Sequence, residues 1–262
     1  MNYLTSLNDA LADLLRHDPR VILLGEDIVD PYGGAFKVTR GLSLQFPDRV
    51  IATPISESAL TGLAGGMAMR GLRPVLEIMF GDFLTLCFDQ LLNHAAKFGP
   101  MSDGRAQASL VIRAPMGGGR GYGPTHSQSL EKHFLGIPGV KVVAPSLAHQ
   151  PGQLLRQAVN DADPVLFIEH KLLYPRELFE PDNLPPPLVM EAATGEYPMA
   201  RLSNFQGGSP DVVLALYGGG SLFLKELLLE MAAEEIRLTC LAPSLLNGVP
   251  MDAVAETASQ AA

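Results

Sequence analysis

An α/β fold, a mostly parallel sheet flanked by helices on both faces, is predicted by three observations. Several segments, such as Val21-Ile22-Leu23-Leu24, are unbroken apolar runs rather than alternations of apolar and polar residues. Such runs belong to strands buried on both faces. They alternate along the chain with segments of helical periodicity, the pattern of parallel strands joined by crossover helices. Glycine and acidic residues also follow the runs directly, as at Gly25-Glu26-Asp27. In open parallel sheets, functional groups gather at the C-terminal ends of strands.

Leu4, Leu7, Ala10, Leu11, Leu14 and Leu15 recur at helical spacing, so the chain opens with an amphipathic helix. Residues 21–24 form the first strand and deliver Gly25-Glu26-Asp27. A glycine-marked loop through Gly33-Gly34 leads to a helical segment at 37–46, and a second strand covers 50–53. A helix then runs from Glu57 to about Arg70, followed by a strand at 75–79 and a helix at 83–98. Residues 110–113, 140–143 and 165–168 are three more strands, the last two separated by a helix at 153–160.

The composition breaks at 181–208, where Pro185-Pro186-Pro187 and Gly207-Gly208-Ser209-Pro210 bracket few periodic apolar positions. This predicts a linker or extended crossing segment. A strand at 211–217, a helix at 222–233, a strand at 237–241 and a short helix from Met251 into the small, polar 255–262 complete the chain. The expected division is a domain over 1–180, a linker over 181–208 and a smaller unit over 209–262. With one strand–helix–strand unit, that last part is expected to be loosely ordered or covered by another subunit. There is no internal repeat.

The 262 residues are 47% hydrophobic, enough for a sizeable core. A formal charge of -9 argues against nonspecific binding to nucleic acid or an anionic membrane. Cys87 and Cys240 lie far apart in apolar segments and imply no disulfide framework. No basic region followed by an apolar core stands at Met1-Asn2-Tyr3-Leu4, and no apolar run reaches the length of a membrane span. The expected compartment is the cytoplasm.

Glu57 is the residue with the richest surroundings. It closes Ile55-Ser56-Glu57 and is followed by Gly62-Leu63-Ala64-Gly65-Gly66, in the spacing E-x4-G-Φ-x-x-G. An acid beside a helix start is favoured by the dipole alone, and glycines permit close packing. Burial at the same place disfavours a charged carboxylate and suits a group that holds or passes a proton. His126 follows the glycine-rich run 115–124, which allows close approach of a ligand. That run lacks the Lys-Ser/Thr of a phosphate loop, no Cys/His cluster has zinc spacing, and no G-x-S-x-G elbow accompanies Ser127. His94, His133, His149 and His170 lack a comparable context.

The Glu57 pattern resembles the pyrimidine-side half of the thiamine diphosphate motif. Together with Gly25-Glu26-Asp27, Gly34-Ala35-Phe36-Lys37-Val38-Thr39 and His126-Ser127-Gln128, the chain resembles beta subunits of 2-oxoacid dehydrogenase E1 components of the pyruvate, branched-chain 2-oxoacid and acetoin type. The resemblance implies a thiamine-diphosphate-binding pyrimidine domain and a shortened transketolase C-terminal-like domain, opening with Gly218-Gly219-Gly220 after its first strand. It gives Glu57 the hydrogen bond to the aminopyrimidine N1', Phe83 a stacking role, and Leu63 and Met79 apolar contacts with the same ring. Glu26 joins the cofactor site, and His126 stabilises or protonates the intermediate during acyl transfer to lipoamide. It further implies potassium at main-chain carbonyls and acids on Leu110, Ala158, Val159, Asp161 and Asp163.

Gly-Asp-Gly, which holds magnesium and the diphosphate in this family, does not occur; Gly81-Asp82-Phe83 is the nearest approach. The resemblance therefore implies an alpha partner that supplies it, an alpha2-beta2 heterotetramer, and docking to an E2 lipoyl acyltransferase. Two other readings stay open: a noncatalytic, truncated assembly subunit and a split transketolase-like subunit. The 2-oxoacid itself is not readable from these residues.

Overall fold

Asn2 starts the first helix: its side chain accepts a hydrogen bond from the Thr5 amide at 2.8 Å, satisfying a donor that the helix leaves unpaired. That helix is α1, Tyr3–His17, and its buried stripe of Leu7, Leu11, Leu14 and Leu15 meets Leu154, Leu155 and Ala158 in one apolar cluster. The computed structural model describes residues 1–191 and 194–261. In chain order there follow β1 (Val21–Gly25), α2 (Leu42–Gln45), β2 (Val50–Ala52), α3 (Glu57–Met69) and β3 (Arg73–Glu77). Next come α4 (Leu84–Asp89), α5 (Ala96–Met101), β4 (Val111–Met116), β5 (Lys141–Val143), α6 (Pro151–Asn160) and β6 (Val165–His170).

These six strands form one sheet in the order β2-β1-β3-β4-β6-β5, and every pairing is parallel. Alternate residues of each strand serve opposite faces: Leu23, Val75, Val111 and Phe167 face α1 and α6, while Leu24, Leu76, Ile112 and Leu166 face α3 and α4. Both faces are covered, which is why the strands read as continuous apolar runs. Strand order reverses between β1 and β3, where Gly25 pairs with Glu77 at the C-terminal edge. Ligand crevices form at such a reversal. Glu26, Phe83 and the glycine-rich run all emerge on this edge.

The second sheet has the order β7-β8-β10-β9, from β7 (Val189–Glu191), β8 (Met199–Ser203), β9 (Val212–Ala215) and β10 (Leu238–Pro243), with α7 (Leu224–Ala233) beside it. Strands β7 and β8 lie inside 181–208, the segment expected as a linker. β8 pairs antiparallel with β10, and β9 pairs parallel with it on the other side. The chain thus supplies the neighbours that the last unit was expected to lack, and Leu188, Ala200, Leu202, Leu224, Leu228 and Leu238 form its own apolar cluster. The unit is joined to the edge strand β5: Ala144 N donates to Ser244 O at 2.8 Å, and Asn247 Nδ2 donates to Val140 O at 2.6 Å.

Two helices differ from expectation. The helix expected over 37–46 shrinks to α2, because Lys37 has φ 68° and Gly41 has φ 83°, which break a right-handed helix. The helix expected over 83–98 contains a π-helical turn, Gln90–Ala95, between α4 and α5. At the end of the chain, α8 (Met251–Ser259) extends into the segment read as a polar tail.

Candidate functional site

Glu57 is the first residue of α3 and is buried, 6% exposed. The bonds around it go to its main-chain carbonyl, which accepts from Thr61 Oγ1 at 2.8 Å and from Cys87 Sγ at 3.7 Å. No hydrogen bond to its carboxylate is made by the described residues, and its oxygens are not sealed from solvent. Glu26, buried just past β1, shares its field: burial, then the Glu57 carboxylate, then Asp27 push the Glu26 carboxyl up. Glu26 therefore keeps its proton to higher pH than an exposed glutamate.

Cys87 on α4 ties this pair to Phe83, whose carbonyl lies 4.0 Å from Sγ. Phe83 is half-buried, Met79 is half-buried, and Leu63 projects from α3 at 54% exposure. With Ile55, 78% exposed, they form apolar surface beside a buried acid.

His126 joins them through aromatic contacts. Its imidazole meets the Phe80 ring edge-on at 4.8 Å and the Phe83 ring at 5.3 Å, and Thr125 Oγ1 lies 3.0 Å from Nδ1. The structure therefore brings Glu26, Glu57, Phe83 and His126 to one strand edge, with Leu63 and Met79 nearby. His170, at the end of β6, is packed tightly: a Cβ on Gly117, which has φ +87°, would lie 2.1 Å from its Nε2. Burial, then the Lys171 charge, push the His170 imidazole down, which keeps it neutral in a packing role.

Beneath the site lies an ion network that sequence reading missed. Arg113 on β4 is fully buried and grips Glu169 on β6 with Nε and Nη2 at 2.7 and 2.8 Å. Its Nη1 donates to Glu77 on β3 at 2.7 Å, and Tyr174 Oη donates to Glu169 at 2.6 Å. Burial opposes the Arg113 charge, yet Glu169 and Glu77 hold it firmly protonated. Burial pushes the Glu77 carboxyl up against the pull of Arg113. The network supports the loop after β1: a Cβ on Gly34 (φ +81°) would sit 2.7 Å from Glu77 Oε1. Only a glycine fits there. A charged residue inside the apolar run of β4 was the available signal.

The residues expected to hold potassium are engaged otherwise. Both Asp161 oxygens accept from Lys141 Nζ, at 2.7 and 2.6 Å, Oδ2 also from Tyr197 Oη at 2.8 Å, and Oδ1 from the Asp163 amide at 3.1 Å. The Asp161 carbonyl accepts from Arg73 at 2.8 Å, and the carbonyls of Leu110 and Ala158 accept from Val165 N and Asp161 N. Asp163 lies 3.6 Å from the same lysine, and Val159 is buried in the core. Two cationic side chains already converge on Asp161, so this set does not fit a potassium ion. Among the described residues, no group of three or more His, Cys, Asp or Glu is arranged for a metal, and no helix is long and apolar enough to cross a membrane.

A six-stranded parallel sheet with a buried glutamate at its reversal point and a glycine-rich loop facing it defines a class of cofactor-binding α/β domain. Residues 1–177 match the family described as transketolase, pyrimidine binding domain, and the chain belongs to that family. The chain is 47% identical over 178 residues to the acetoin:2,6-dichlorophenolindophenol oxidoreductase subunit beta of Cupriavidus necator, covering 64% of this chain and 53% of that one. It is 44% identical over 170 residues to the pyruvate dehydrogenase E1 component subunit beta of Chaetosphaeridium globosum, covering 64% and 52%. The chain thus spans about half the length of the curated relatives it matches. Among solved structures, a split-gene transketolase in an inactive beta4 tetramer superposes with TM-score 0.68 at 19% identity, over 98% of this chain and 76% of that chain, which supports the fold.

Thiamine diphosphate is the cofactor that this family implies. The residues present fit it: the carboxyl of a buried glutamate left free of side-chain hydrogen bonds, a half-buried aromatic ring and flanking apolar side chains suit a flat heteroaromatic ring bearing a nitrogen.

Proposed function

We propose that this chain is the beta subunit of a thiamine-diphosphate-dependent 2-oxoacid dehydrogenase E1 component. In this reading it works in the cytoplasm with an alpha partner, as an alpha2-beta2 heterotetramer. The reaction is oxidative decarboxylation of a small 2-oxoacid with acyl transfer to lipoamide on an E2 acyltransferase. Residues 1–180 form the pyrimidine-binding unit, 181–208 cross to the smaller unit, and 209–262 complete it. The observation that carries the reading is the convergence of Glu57, a buried residue at the start of α3, with Phe83 and His126 at the C-terminal edge of the sheet. The relatives named above support the reaction class.

When bound, thiamine diphosphate supplies carbanion chemistry that no amino-acid side chain offers. Glu57 holds the aminopyrimidine by a hydrogen bond at a ring nitrogen and controls the proton there. Phe83 gives the ring a stacking face, Leu63 and Met79 exclude water from it, and Glu26 sets the charge around Glu57. His126 would hold or pass a proton at its imidazole beside the bound group. No Gly-Asp-Gly occurs in the chain, so the diphosphate and its magnesium are assigned to the alpha partner.

The test is Glu57→Gln in a preparation reconstituted with an alpha chain. The amide keeps a hydrogen bond but cannot share a proton, so turnover should drop by about 100-fold or more, with cofactor affinity retained. Near-normal decarboxylation by this variant would remove Glu57 from the mechanism and the reading with it.

A further inference from the structure

The loop that carries His126 has little stiffness of its own. It leaves β4 at Gly117 and closes where the Gly117 amide donates to Gln128 O at 3.2 Å. Between these points Gly119, Gly121 and Gly123 all have φ between 75° and 84°, in the left-handed region. A backbone so rich in glycine has many conformations to lose on ordering. What holds it must come from outside the loop.

Two side chains do so at nearly consecutive residues. Lys171, fully buried immediately after β6, donates its ammonium to the main-chain carbonyl of His126. The same ammonium lies 5.1 Å from the centre of the Phe80 ring and 5.7 Å from that of Tyr122, within reach of a cation–π attraction. Asp82, 6% exposed and on the turn ahead of Phe83, accepts from the Gln128 amide at 3.2 Å and from Gln128 Nε2 at 2.8 Å, both at Oδ1. Its Oδ2 is buried without a partner. A buried ammonium and a buried carboxylate each carry a desolvation penalty. Burial, the larger effect, pushes the Lys171 amine down and the Asp82 charge pulls it back up. The loop is gripped on both sides of Ser127, so the direction of the His126 side chain is set by its main chain.

We propose that Lys171 and Asp82 are positioning residues that set the His126 imidazole against Phe80 and Phe83 by tying the loop at the His126 carbonyl and at Gln128. Its consequence for turnover rests on the role given to His126 above; the tie itself does not. Neither residue handles a proton of the reaction: both act through the loop.

Hydrogen exchange on the full chain separates the two. Lys171→Met removes the charge at similar volume, Gln128→Ala removes the side-chain bond to Asp82 at an exposed position, and Lys171→Arg restores a cation. Exchange over 117–128 should speed up about tenfold in Lys171→Met and measurably in Gln128→Ala, as expected for loss of hydrogen bonds to charged groups. Exchange in β3, β4 and β6 should stay as in the wild type, and Lys171→Arg should recover part of the protection. Unchanged exchange over 117–128 in both Lys171→Met and Gln128→Ala overturns the proposal. If Lys171→Met loses protection everywhere, Gln128→Ala alone decides. With the alpha partner present, Gln128→Ala should lower lipoamide-dependent kcat while KM for the 2-oxoacid and cofactor affinity hold. A wild-type preparation without any such turnover would refute the proposed function and leave the exchange result standing.

Discussion

His149 offers a sharp test of how the two sheets are joined. It is 4% exposed, and its Nδ1 accepts from the Ser146 amide at 3.0 Å while Nε2 lies 3.3 Å from the carbonyl of Pro198, just ahead of β8. Burial pushes its imidazole down from 6.5 to about 4, against weaker upward pulls from hydrogen bonds to Pro198 and Ala242. The folded protein thus keeps His149 neutral, whereas the unfolded chain binds a proton below pH 6.5. The stability contributed by the neutral form is complete above pH 6.5 and is lost as the pH falls through the window down to about 4. Each pH unit across that window is worth about 1.4 kcal/mol, so the loss reaches about 2 kcal/mol at pH 5 and about 3 kcal/mol at its lower end. His149→Asn keeps an acceptor near the Ser146 amide and removes the titration. Urea unfolding followed by circular dichroism should show wild-type and variant profiles converging as the pH falls from 7 to 4.5. Parallel profiles would refute the argument, because they would mean that His149 is as free to take a proton folded as unfolded.

Three further outcomes are expected. Arg113→Leu leaves Glu77 and Glu169 buried without their shared cation and should destabilise the fold by about 3–5 kcal/mol, measured by the same unfolding assay. Burial pushes the thiols of Cys87 and Cys240 up to about 12, so an aromatic disulfide reagent at pH 8 should label neither in the native chain and both in denaturant. His126→Ala should impair lipoamide-dependent turnover at least as much as turnover with an artificial acceptor; wild-type values in both assays would return His126 to a structural role.

Much of the first sheet was legible because its information is local. Apolar runs at 21–24 and 165–168 announce doubly covered strands, and Glu57 sits beside its own glycine pattern, so both can be read within a dozen residues. Short or weakly patterned elements were not legible. β7 has three residues with no fully buried position, and β8 is reached through prolines and glycines, so neither rises above the look of a linker. Their identity as strands comes from partners that only the folded chain brings to them: β8 pairs with β10, and β7 with β8.

The site divides in the same way. The sequence by itself determined the residue types: a glutamate at a helix start, an aromatic after β3, a histidine on a glycine-rich loop. Only the tertiary structure decided which charges meet. Arg113 and Glu169 are 56 residues apart, as Lys171 and the His126 carbonyl are 45 apart, and neighbouring strands bring both pairs together. The same is true of Asp161, whose carboxylate is taken up by Lys141 twenty residues away rather than left for a cation. Hydrogen bonds and ion pairs act over a few ångströms, so their partners follow from strand order and register, and spacing along the chain carries almost no trace of them.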